Sequence, residues 1–494
     1  MKVLKEYFNH RLFLIICSVL FIFCLSNNYT VKAIDSSNEN LIFNEADKLV
    51  KKYNVQGSSI ALIENGKIKE IKNYGYANLK ENTVVTNDTE FKIASISKTV
   101  TAYGIMKLVD EGKLDLDVPI SKYLTKWNLP DSEFDKNKVT LRTLMSHTSG
   151  ITDSTELGYG NSLPKIEDAL KERNIKLKRE PGTEFEYSSF AGFGICQLII
   201  EEVTGIKFED YMKEEVFNEF HMENSKYDES FDLPNIMATP YAGINKPIKT
   251  EPIVMVGAGG LNTTSTDLSN FVIGLINFYD NRNLEMFTEQ KNTESKYGVY
   301  GLGIIPCKLD NGKTIMEHNG TLTGWNAQIA FEPESKDGIV ILTNSDKAFY
   351  FTYDLLGKWS NAVVGGTILD SEFVYKVENI VRIVIGVLTL IIIVLAFTNI
   401  KQLISGKFVL STSKNQIFKS CLKSLPILLV LILWYIIFYT QLPFKLFFSM
   451  PDYYIFTFIT PNFHIVSILT LGIGIMLILK MFLTKNKTQN IKVN

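Results

Sequence analysis

The chain has 494 residues, a formal net charge of −2 and 46% hydrophobic residues. This length exceeds that of one small domain, and the near-neutral charge gives no electrostatic attraction to nucleic acid. No internal repeat or low-complexity tract is present, which argues against the solenoid and disordered classes.

The N-terminal residues have the pattern of an export signal. Three basic residues precede an apolar run from Leu12 to Leu25, and Ala33 closes a small-residue cleavage motif. The run is short for a bilayer span, which favours a cleaved signal peptide over residues 1–33 against the alternative of an uncleaved signal anchor. Both alternatives place the following residues outside the cytoplasm.

Residues 34–366 have the composition of a globular domain with a substantial core. Apolar spacing predicts a helix over residues 41–53, and Asn65-Gly66 predicts the turn of a hairpin. A further helix follows Ser95 and ends near Gly112. Helices and loops fill residues 115–285, and strands return near residue 316. This order predicts an α+β domain whose sheet is built from both ends of the segment.

The C-terminal part predicts three membrane-spanning helices at residues 383–400, 425–442 and 463–483, after a linker at 367–382. The loop at 401–424 and the tail at 484–494 are rich in lysine and lack acidic residues. The loop at 443–462 has no such excess of lysine. By the positive-inside rule, the lysine-rich segments are cytoplasmic and residues 34–366 are extracytoplasmic. The apolar stretches at 383–400, 425–442 and 463–479 carry no charged residue of the kind that marks a transport path, which favours an anchoring role.

The cysteines are few and define no framework. Cys196 and Cys307 are the two in the predicted exported domain, so one disulfide is possible, but no zinc-binding pattern is present. The apolar neighbours of Cys196 favour a buried thiol.

The spacing Ser-x-x-Lys occurs at Ser95, Ser162, Ser411 and Ser420. Ser411 and Ser420 lie in the predicted cytoplasmic loop, and a proline follows Ser162 two residues later, which argues against a regular helical Ser-Lys face there. In a helix that begins at Ser95, Lys98 lies on the same face one turn later. If both are enclosed, burial lowers the pKa of the lysine and leaves a neutral amine that can accept the serine proton. The alternative is a capping serine beside a solvated lysine.

Two more stretches add candidate partners. "EFEYSSFAGF" places Tyr187 in a short loop before a helical run, and a tyrosine there can relay protons between serine and lysine. "MEHNGTLTGW" places His318 on a predicted strand, where Gly320 would allow a substrate backbone to approach the strand edge closely. Taken singly, each of these residues is more often a packing or surface residue.

As an ordered set, the motifs resemble those of the serine β-lactamase and penicillin-binding protein superfamily, and more closely its branch of class C β-lactamases, D-aminopeptidases and esterases. The segments are "FKIASISKTVTA", "LRTLMSHTSGI", "PGTEFEYSSFAGFGI" and "VGAGGLNTTSTDLSNF". The resemblance implies an antiparallel sheet flanked by helices beside a helical lobe. It makes Ser95 the acylated nucleophile, Lys98 its base and Tyr187 a proton-transfer partner.

The resemblance also implies roles in binding. His318 stands where many relatives have a lysine, and the backbone N–H groups of Ser95 and Thr321 would form the oxyanion hole, beside Gly320. His147 lies in a segment that the family uses structurally. The second motif departs from the usual Tyr-x-Asn because Ser189 replaces the amide, and the third motif lacks its lysine. Both departures argue against efficient β-lactamase activity, although the acyl-enzyme residues are present.

The predicted signal peptide, catalytic domain and three spans together resemble membrane-bound peptidases that remove an N-acyl-D-asparagine cap from prodrugs of the colibactin and zwittermicin type. Ser189 is in keeping with that group. Two positions are not, because Lys92 stands where an acidic residue is expected and Val256-Gly257 provides no histidine beside the Ala-Gly-Gly loop.

The sequence therefore predicts a multi-pass, membrane-anchored serine hydrolase that uses no cofactor or metal and acts on amides or esters, with a D-amino-acid peptide or acyl-peptide as substrate. β-Lactams would act as acylating ligands. The alternatives are a penicillin-binding sensor or resistance protein with slow deacylation, and a carboxylesterase. A sensor is disfavoured because the predicted cytoplasmic segments are too short for a signalling domain.

Overall fold

The computed structural model describes residues 41–153, 162–227, 236–243, 245–250, 252–281, 284–295, 298–368, 372–406, 408–440, 442–447 and 462–485. The predicted signal peptide and most of the predicted loop at 443–462 lie outside these residues. The described residues fall into two compact units, of which the larger lies within Ala33–Glu372 and the smaller begins at Phe373.

The larger unit begins with a helix, a hairpin and a helical region. Its first elements are α1 Leu41–Tyr53, β1 Gly57–Glu64, β2 Lys67–Asn78, β3 Thr83–Val84, β4 Phe91–Lys92, α2 Ile96–Asp110, α3 Leu141–Met145, α4 Ile166–Glu172, α5 Ala191–Thr204 and α6 Phe208–Met212.

Short strands and one long helix then lead to the C-terminal strands. These elements are β5 Lys226–Tyr227, β6 Tyr241–Ala242, β7 Lys246–Pro247, α7 Val256–Gly259, β8 Leu261–Thr263, α8 Ser265–Asp280, β9 Ile305–Lys308, β10 Thr314–Leu322, β11 Trp325–Glu332, β12 Asp337–Thr343 and α9 Phe349–Trp359. Short 3₁₀ or π turns occur at Ile120–Lys122, Lys136–Lys138, Lys213–Phe217, Leu284–Phe287, Asp346–Ala348 and Ser360–Val364.

The main sheet has seven strands in the order β3-β2-β1-β12-β11-β10-β9, with antiparallel neighbours. The two ends of the unit meet between β1 and β12, where Ser58 pairs with Thr343 and Ile63 with Gly338. The predicted α+β fold, with a sheet built from both ends, is therefore confirmed. The predicted hairpin turn is also confirmed, since Asn65 and Gly66 both have positive φ, as a two-residue hairpin turn requires.

Helix α2 lies at the centre of the unit, because nearly every one of its residues is buried. Its sequence is apolar or small on all sides, which is the pattern of a helix enclosed by other elements. It contacts α5 and α7 as well as β10 and β11. A second sheet, ordered β4-β8-β5, includes the strand that leads into α2. The N-terminus of α2 therefore lies between the helical region and the C-terminal strands.

From Glu372 onward, three long helices dominate. The elements are α10 Glu372–Ile404, β13 Phe408–Leu410, α11 Lys414–Tyr439, α12 Leu442–Phe447, α13 Phe463–Met481 and β14 Leu483–Lys485. Three segments are long and apolar enough to cross a membrane, namely Val377–Ile404, Lys414–Tyr439 and Phe463–Met481.

The first of these helices is longer than the sequence predicts, because it includes residues assigned to the linker. Glu378 and Arg382 form an ion pair one turn apart on α10, with 2.7 Å between Arg382 Nη2 and Glu378 Oε1. The Asn462 amide also donates to Glu378 Oε1, over 3.2 Å. Because these two charges pair, the helix can include them and begin before residue 383, where the apolar run starts and where the sequence placed its boundary.

Candidate active site

Ser95 stands directly before the first residue of α2, at the meeting point of the helical region and the C-terminal strands. The preceding Ala94 is buried and has φ +49°, a conformation that non-glycine residues rarely adopt. The Ile93 N–H donates to the Leu261 carbonyl over 3.0 Å. The backbone is thus held in place just before Ser95. Local strain such as the positive φ of Ala94 is common at functional sites.

The Lys98 side chain is fully buried and its amine has three partners. Lys98 Nζ lies 3.2 Å from Ser95 Oγ, 2.6 Å from the Ser189 carbonyl oxygen and 2.8 Å from the Ala258 carbonyl oxygen. Burial lowers the pKa of Lys98 to about 7, because the charged form loses its hydration. Near neutral pH a large fraction of this amine is therefore uncharged.

Tyr187 lies in the loop before α5 and borders the same space. The nearby Ser95 side chain acts on the pKa of the Tyr187 hydroxyl in the lowering direction, against the larger effect of burial, and Lys98 Nζ lies 5.2 Å from the centroid of the tyrosine ring. Although 36% of the residue is exposed, its surroundings raise the pKa of the hydroxyl above the ordinary value through loss of hydration. Tyr187 therefore holds its proton at neutral pH and can donate it within the site.

Asp153 holds the segment that follows Tyr187, and the sequence prediction missed it. Its carboxylate accepts hydrogen bonds from the hydroxyl of Ser188 and from the backbone N–H groups of Ser189, Phe190 and Ala191. Ser189, which was predicted to contact substrate, is exposed and contributes its backbone carbonyl to Lys98. The only sequence signal for Asp153 is its place two residues after "HTSGI", since its partners lie 35 to 38 residues away.

His318 lies on β10 as predicted, but its side chain is not presented to substrate. The residue is 1% exposed, and both ring nitrogens have partners, the Tyr300 hydroxyl at 2.6 Å and the Asn319 carbonyl at 2.7 Å. Burial lowers the pKa of His318 to about 3, so the ring is neutral. The carbonyl can only accept, which makes Nδ1 the donor and leaves Nε2 to accept from Tyr300. His318 thus supplies no cation for a substrate carboxylate.

Gly320 is needed for a different reason from the one that the sequence suggested. A Cβ at this position would lie 2.0 Å from the Ile93 carbonyl oxygen, so it is the protein's own chain that approaches the strand here. The close contact brings β10 beside the segment that carries Ser95. Thr321 follows Gly320, and its hydroxyl donates to the Asn326 side chain over 2.9 Å.

The edge of β10 is open beside the nucleophile. Strand β9 pairs with β10 only from Thr314 to Glu317, whereas β11 pairs with it as far as Leu322. Over the described residues, His318 to Leu322 therefore have a strand neighbour on one side.

Ser97, the other serine of the motif, is buried and its hydroxyl accepts from the Leu261 N–H over 3.1 Å, so its role is packing rather than solvent contact.

His147 packs behind the site, in agreement with the structural role that the resemblance implied for its segment. It is buried, its Nδ1 accepts from the Ser188 N–H over 3.0 Å, and its ring centroid lies 4.3 Å from that of Tyr187. Burial lowers the pKa of His147 well below its ordinary value, and the positive charge of Lys98 acts in the same direction. The neutral ring supports Tyr187 from behind.

The structure also decides two expectations about the cysteines. Cys196 and Cys307 are both buried thiols and do not form a disulfide with each other, and the predicted buried thiol at Cys196 is confirmed. Among the described residues, no group of three or more histidine, cysteine, aspartate or glutamate side chains could hold a metal ion.

Known proteins resemble this chain over most of its larger unit. The β-lactamase family model matches residues 43–358. Protein flp of Staphylococcus aureus strain MRSA252 is 25% identical over 390 residues, which cover 76% of this chain and 77% of that protein. The solved penicillin-binding protein homologue from Pyrococcus abyssi is 27% identical and superposes with a TM-score of 0.55 over 64% of this chain and 77% of its own.

Two more distant structures share the fold alone. A class C β-lactamase superposes with a TM-score of 0.55 at 24% identity, over 65% of this chain and 97% of its own. A D-stereospecific amidohydrolase from Streptomyces sp. superposes with a TM-score of 0.56 at 20% identity, over 66% and 99% respectively. The predicted resemblance to the serine β-lactamase and penicillin-binding protein superfamily is thereby confirmed.

Proposed function

Because the chain belongs to the β-lactamase family of serine hydrolases, we propose that it is a membrane-anchored hydrolase that forms an acyl-enzyme on Ser95. The observation that carries the proposal is the contact of 3.2 Å between Ser95 Oγ and the amine of the fully buried Lys98. A solvated lysine would be charged at neutral pH and unable to take a proton. Burial removes that obstacle.

The partners of Lys98 orient its lone pair. A neutral amine has two N–H groups and one lone pair, whereas the carbonyl oxygens of Ser189 and Ala258 can only accept. Both N–H groups therefore go to carbonyls, and the lone pair is left for the hydroxyl hydrogen of Ser95. As that proton moves to Lys98 Nζ, Ser95 Oγ forms a bond to the substrate carbonyl carbon, whose oxygen becomes an oxyanion.

The oxyanion would be bound by the backbone N–H groups of Ser95 and Thr321. Gly320 allows β10 to come close enough to Ile93 for these two segments to be neighbours. The N-terminus of α2 adds the positive end of its dipole at Ser95.

Collapse of the intermediate breaks the bond from carbon to the leaving nitrogen or oxygen. The leaving group takes a proton from Tyr187, and Tyr187 recovers it from the Lys98 ammonium. Water then attacks the acyl-enzyme carbonyl, its proton passes to the same pair, and Ser95 is released with the carboxylic acid product.

For the substrate we favour a peptide or acyl-peptide with a D-configured residue on the acyl side. The open edge of β10 suits an extended peptide backbone, and the related fold of a D-stereospecific amidohydrolase motivates the configuration. A neutral, buried His318 offers no positive charge to a β-lactam carboxylate. This argues for slow β-lactam turnover, so β-lactams would act as acylating ligands rather than preferred substrates.

The three apolar helices would hold this domain at the outer face of a membrane. The lysines at the adjoining ends of the first two helices, and those after the third, favour the cytoplasmic side for these segments. Peptides of the cell wall, or an N-acyl-D-amino-acid prodrug cap, would be the substrates available there.

The test is acylation of the purified full-length protein by a fluorescent penicillin and, separately, hydrolysis of an N-acyl-D-asparaginyl amide. Ser95→Ala should abolish both reactions. The matched control is Ser162→Ala, because Ser162 is the other Ser-x-x-Lys serine of the same unit and is exposed. The control should retain both.

Each outcome separates the alternatives. Turnover that persists in Ser95→Ala would exclude the mechanism. Stable penicillin labelling without turnover of any amide or ester would favour a penicillin-binding sensor or resistance protein. Selective hydrolysis of the asparaginyl amide would favour the prodrug peptidase, and hydrolysis confined to esters would favour a carboxylesterase.

A further inference from the structure

Asp153 joins two segments that form one wall of the site. It follows α3 by eight residues and accepts from the Ser188 hydroxyl at 3.1 Å, the Phe190 N–H at 3.1 Å and the Ala191 N–H at 3.0 Å, as well as from the Ser189 N–H. Phe190 is the N-cap of α5 and Ala191 its first residue, so their N–H groups have no partner within the helix, and Ser189 directly precedes them. One carboxylate therefore caps α5 and closes the loop that carries Tyr187.

The same carboxylate reaches Lys98 through one residue. Asp153 holds the N–H of Ser189, and the carbonyl of Ser189 accepts from Lys98 Nζ at 2.6 Å. The backbone of Ser189 is thus fixed from one side by an acid and presents its acceptor to the amine on the other. Without Asp153, the carbonyl that orients the lone pair of Lys98 would lose its support.

Asp153 is also the anion that acts on Lys98. The other titratable side chains around the amine are Tyr187, His147 and His318, and the pKa direction of each keeps it neutral near pH 7. Burial lowers the pKa of Lys98, and the negative charge of Asp153 acts in the opposite direction.

We propose that Asp153 is a positioning residue for the Ser95–Lys98 pair, because it fixes the carbonyl that binds Lys98 and supplies the negative charge that Lys98 faces. The inference rests on the proposed acyl-enzyme mechanism. The hydrogen bonds that the structure shows for Asp153 go to residues 188–191 and not to Ser95. Asp153 acts through the backbone of Ser189 and through the electrostatic effect of its negative charge on Lys98.

The experiment measures the acylation rate constant with a fluorescent penicillin as a function of pH. In the wild-type protein the rate should rise through about pH 7 as Lys98 loses its proton. Asp153→Asn keeps the shape of the side chain and removes its charge, so the pKa of Lys98 should fall. The rising limb of the pH–rate profile should then move to lower pH by about half a unit or more.

Two variants separate charge from geometry. Asp153→Glu keeps the charge but displaces the carboxylate, so it should lower the rate and leave the limb near its wild-type pH. Ser188→Ala removes one hydrogen bond to the carboxylate while the charge remains, and its limb should not move. A limb that stays in place in Asp153→Asn would overturn the proposal and reduce Asp153 to a helix cap.

A second readout needs no activity. With lysine labelled at ¹³Cε, NMR of the full-length protein in detergent follows the titration of Lys98 directly, and Lys98→Met assigns its signal. The midpoint should fall in Asp153→Asn and hold in Ser188→Ala. If the wild-type protein is never acylated, the proposed function fails, whereas this titration still decides whether Asp153 controls the charge of Lys98.

Discussion

At the residue scale, the pocket around Ser95 keeps several titratable side chains in their uncharged forms. Burial lowers the pKa of Lys98, His147 and His318, and loss of hydration raises the pKa of Tyr187. Charged forms are disfavoured where water is excluded. The proposed proton transfers between Ser95, Lys98 and Tyr187 would therefore begin from uncharged side chains.

Tyr300 is the donor that keeps His318 satisfied in this setting. Tyr300→Phe removes the hydroxyl that lies 2.6 Å from His318 Nε2 and leaves a buried acceptor without a partner. We expect the free energy of unfolding to fall by about 1–3 kcal/mol, which is the desolvation cost of such a group. Urea unfolding of the two proteins measures the change.

A double-mutant cycle checks the cause. In a His318→Leu background no ring nitrogen remains at this position, so Tyr300→Phe should cost clearly less there. Equal losses in both backgrounds would show that the hydroxyl stabilises the protein through some other contact.

The residues that the sequence could predict are those whose signal is local. Ser95 and Lys98 share one helical turn, so their spacing placed the lysine beside the serine, as the structure shows. Asp153 and Tyr300 gave no such signal, because their partners lie far along the chain and meet them only in the folded core. His318 was placed on the correct strand, but the direction of its side chain depends on Tyr300, which the spacing does not reveal.

At the element scale, the approach of β10 to the strand that precedes α2 determines where the nucleophile stands. Gly320→Ala would place a Cβ 2.0 Å from the Ile93 carbonyl oxygen, so one of the two segments must move. We expect a loss of about 1–3 kcal/mol in the free energy of unfolding, as for other overpacked sites, together with slower acylation of Ser95. Thermal unfolding and penicillin labelling measure the two effects.

Gly259→Ala is the matched control. Gly259 is also buried near the start of α2, but a Cβ there would have its nearest neighbour at 3.6 Å, an ordinary van der Waals distance. This variant should unfold close to the wild type. If Gly320→Ala does so too, β10 has room to shift, and the close approach does not hold Ser95 in place.

The elements with periodic sequences were predictable, and their boundaries were less so. Helix α1 and the β1–β2 hairpin follow from apolar spacing and from Asn65-Gly66, and both are present as predicted. The first apolar helix was predicted to begin at residue 383 because charged residues precede it. Glu378 and Arg382 instead neutralise each other within the helix, and a hydropathy argument does not take account of such a pair.

At the scale of the whole molecule, the candidate active site and three apolar helices occur in one chain. The proposed function requires the larger unit to lie outside the cytoplasm, where peptides of the cell wall are accessible. The lysines that flank the helices lead to the same orientation by the positive-inside rule. The lysine-rich segment at residues 401–424, which includes the adjoining ends of the first two helices, should therefore face the cytoplasm.

Cys421 makes this orientation measurable with the native sequence. It is the exposed cysteine among those that the structure describes, and it lies in the part of the lysine-rich segment that belongs to α11, whereas Cys196 and Cys307 are buried. A membrane-impermeant maleimide should therefore leave Cys421 unmodified in intact spheroplasts and modify it once the membrane is permeabilised. Gel shift or mass spectrometry of the protein measures the modification.

Two variants complete the test. Cys421→Ser should remove the signal, so that any remaining label comes from Cys17 or Cys24 near the N-terminus. In that background, Ser162→Cys adds a thiol at an exposed position of the larger unit and should react in intact spheroplasts. Labelling of Cys421 before permeabilisation would place the lysine-rich segment outside. The catalytic unit would then face the cytoplasm, away from the peptides that the proposed function requires.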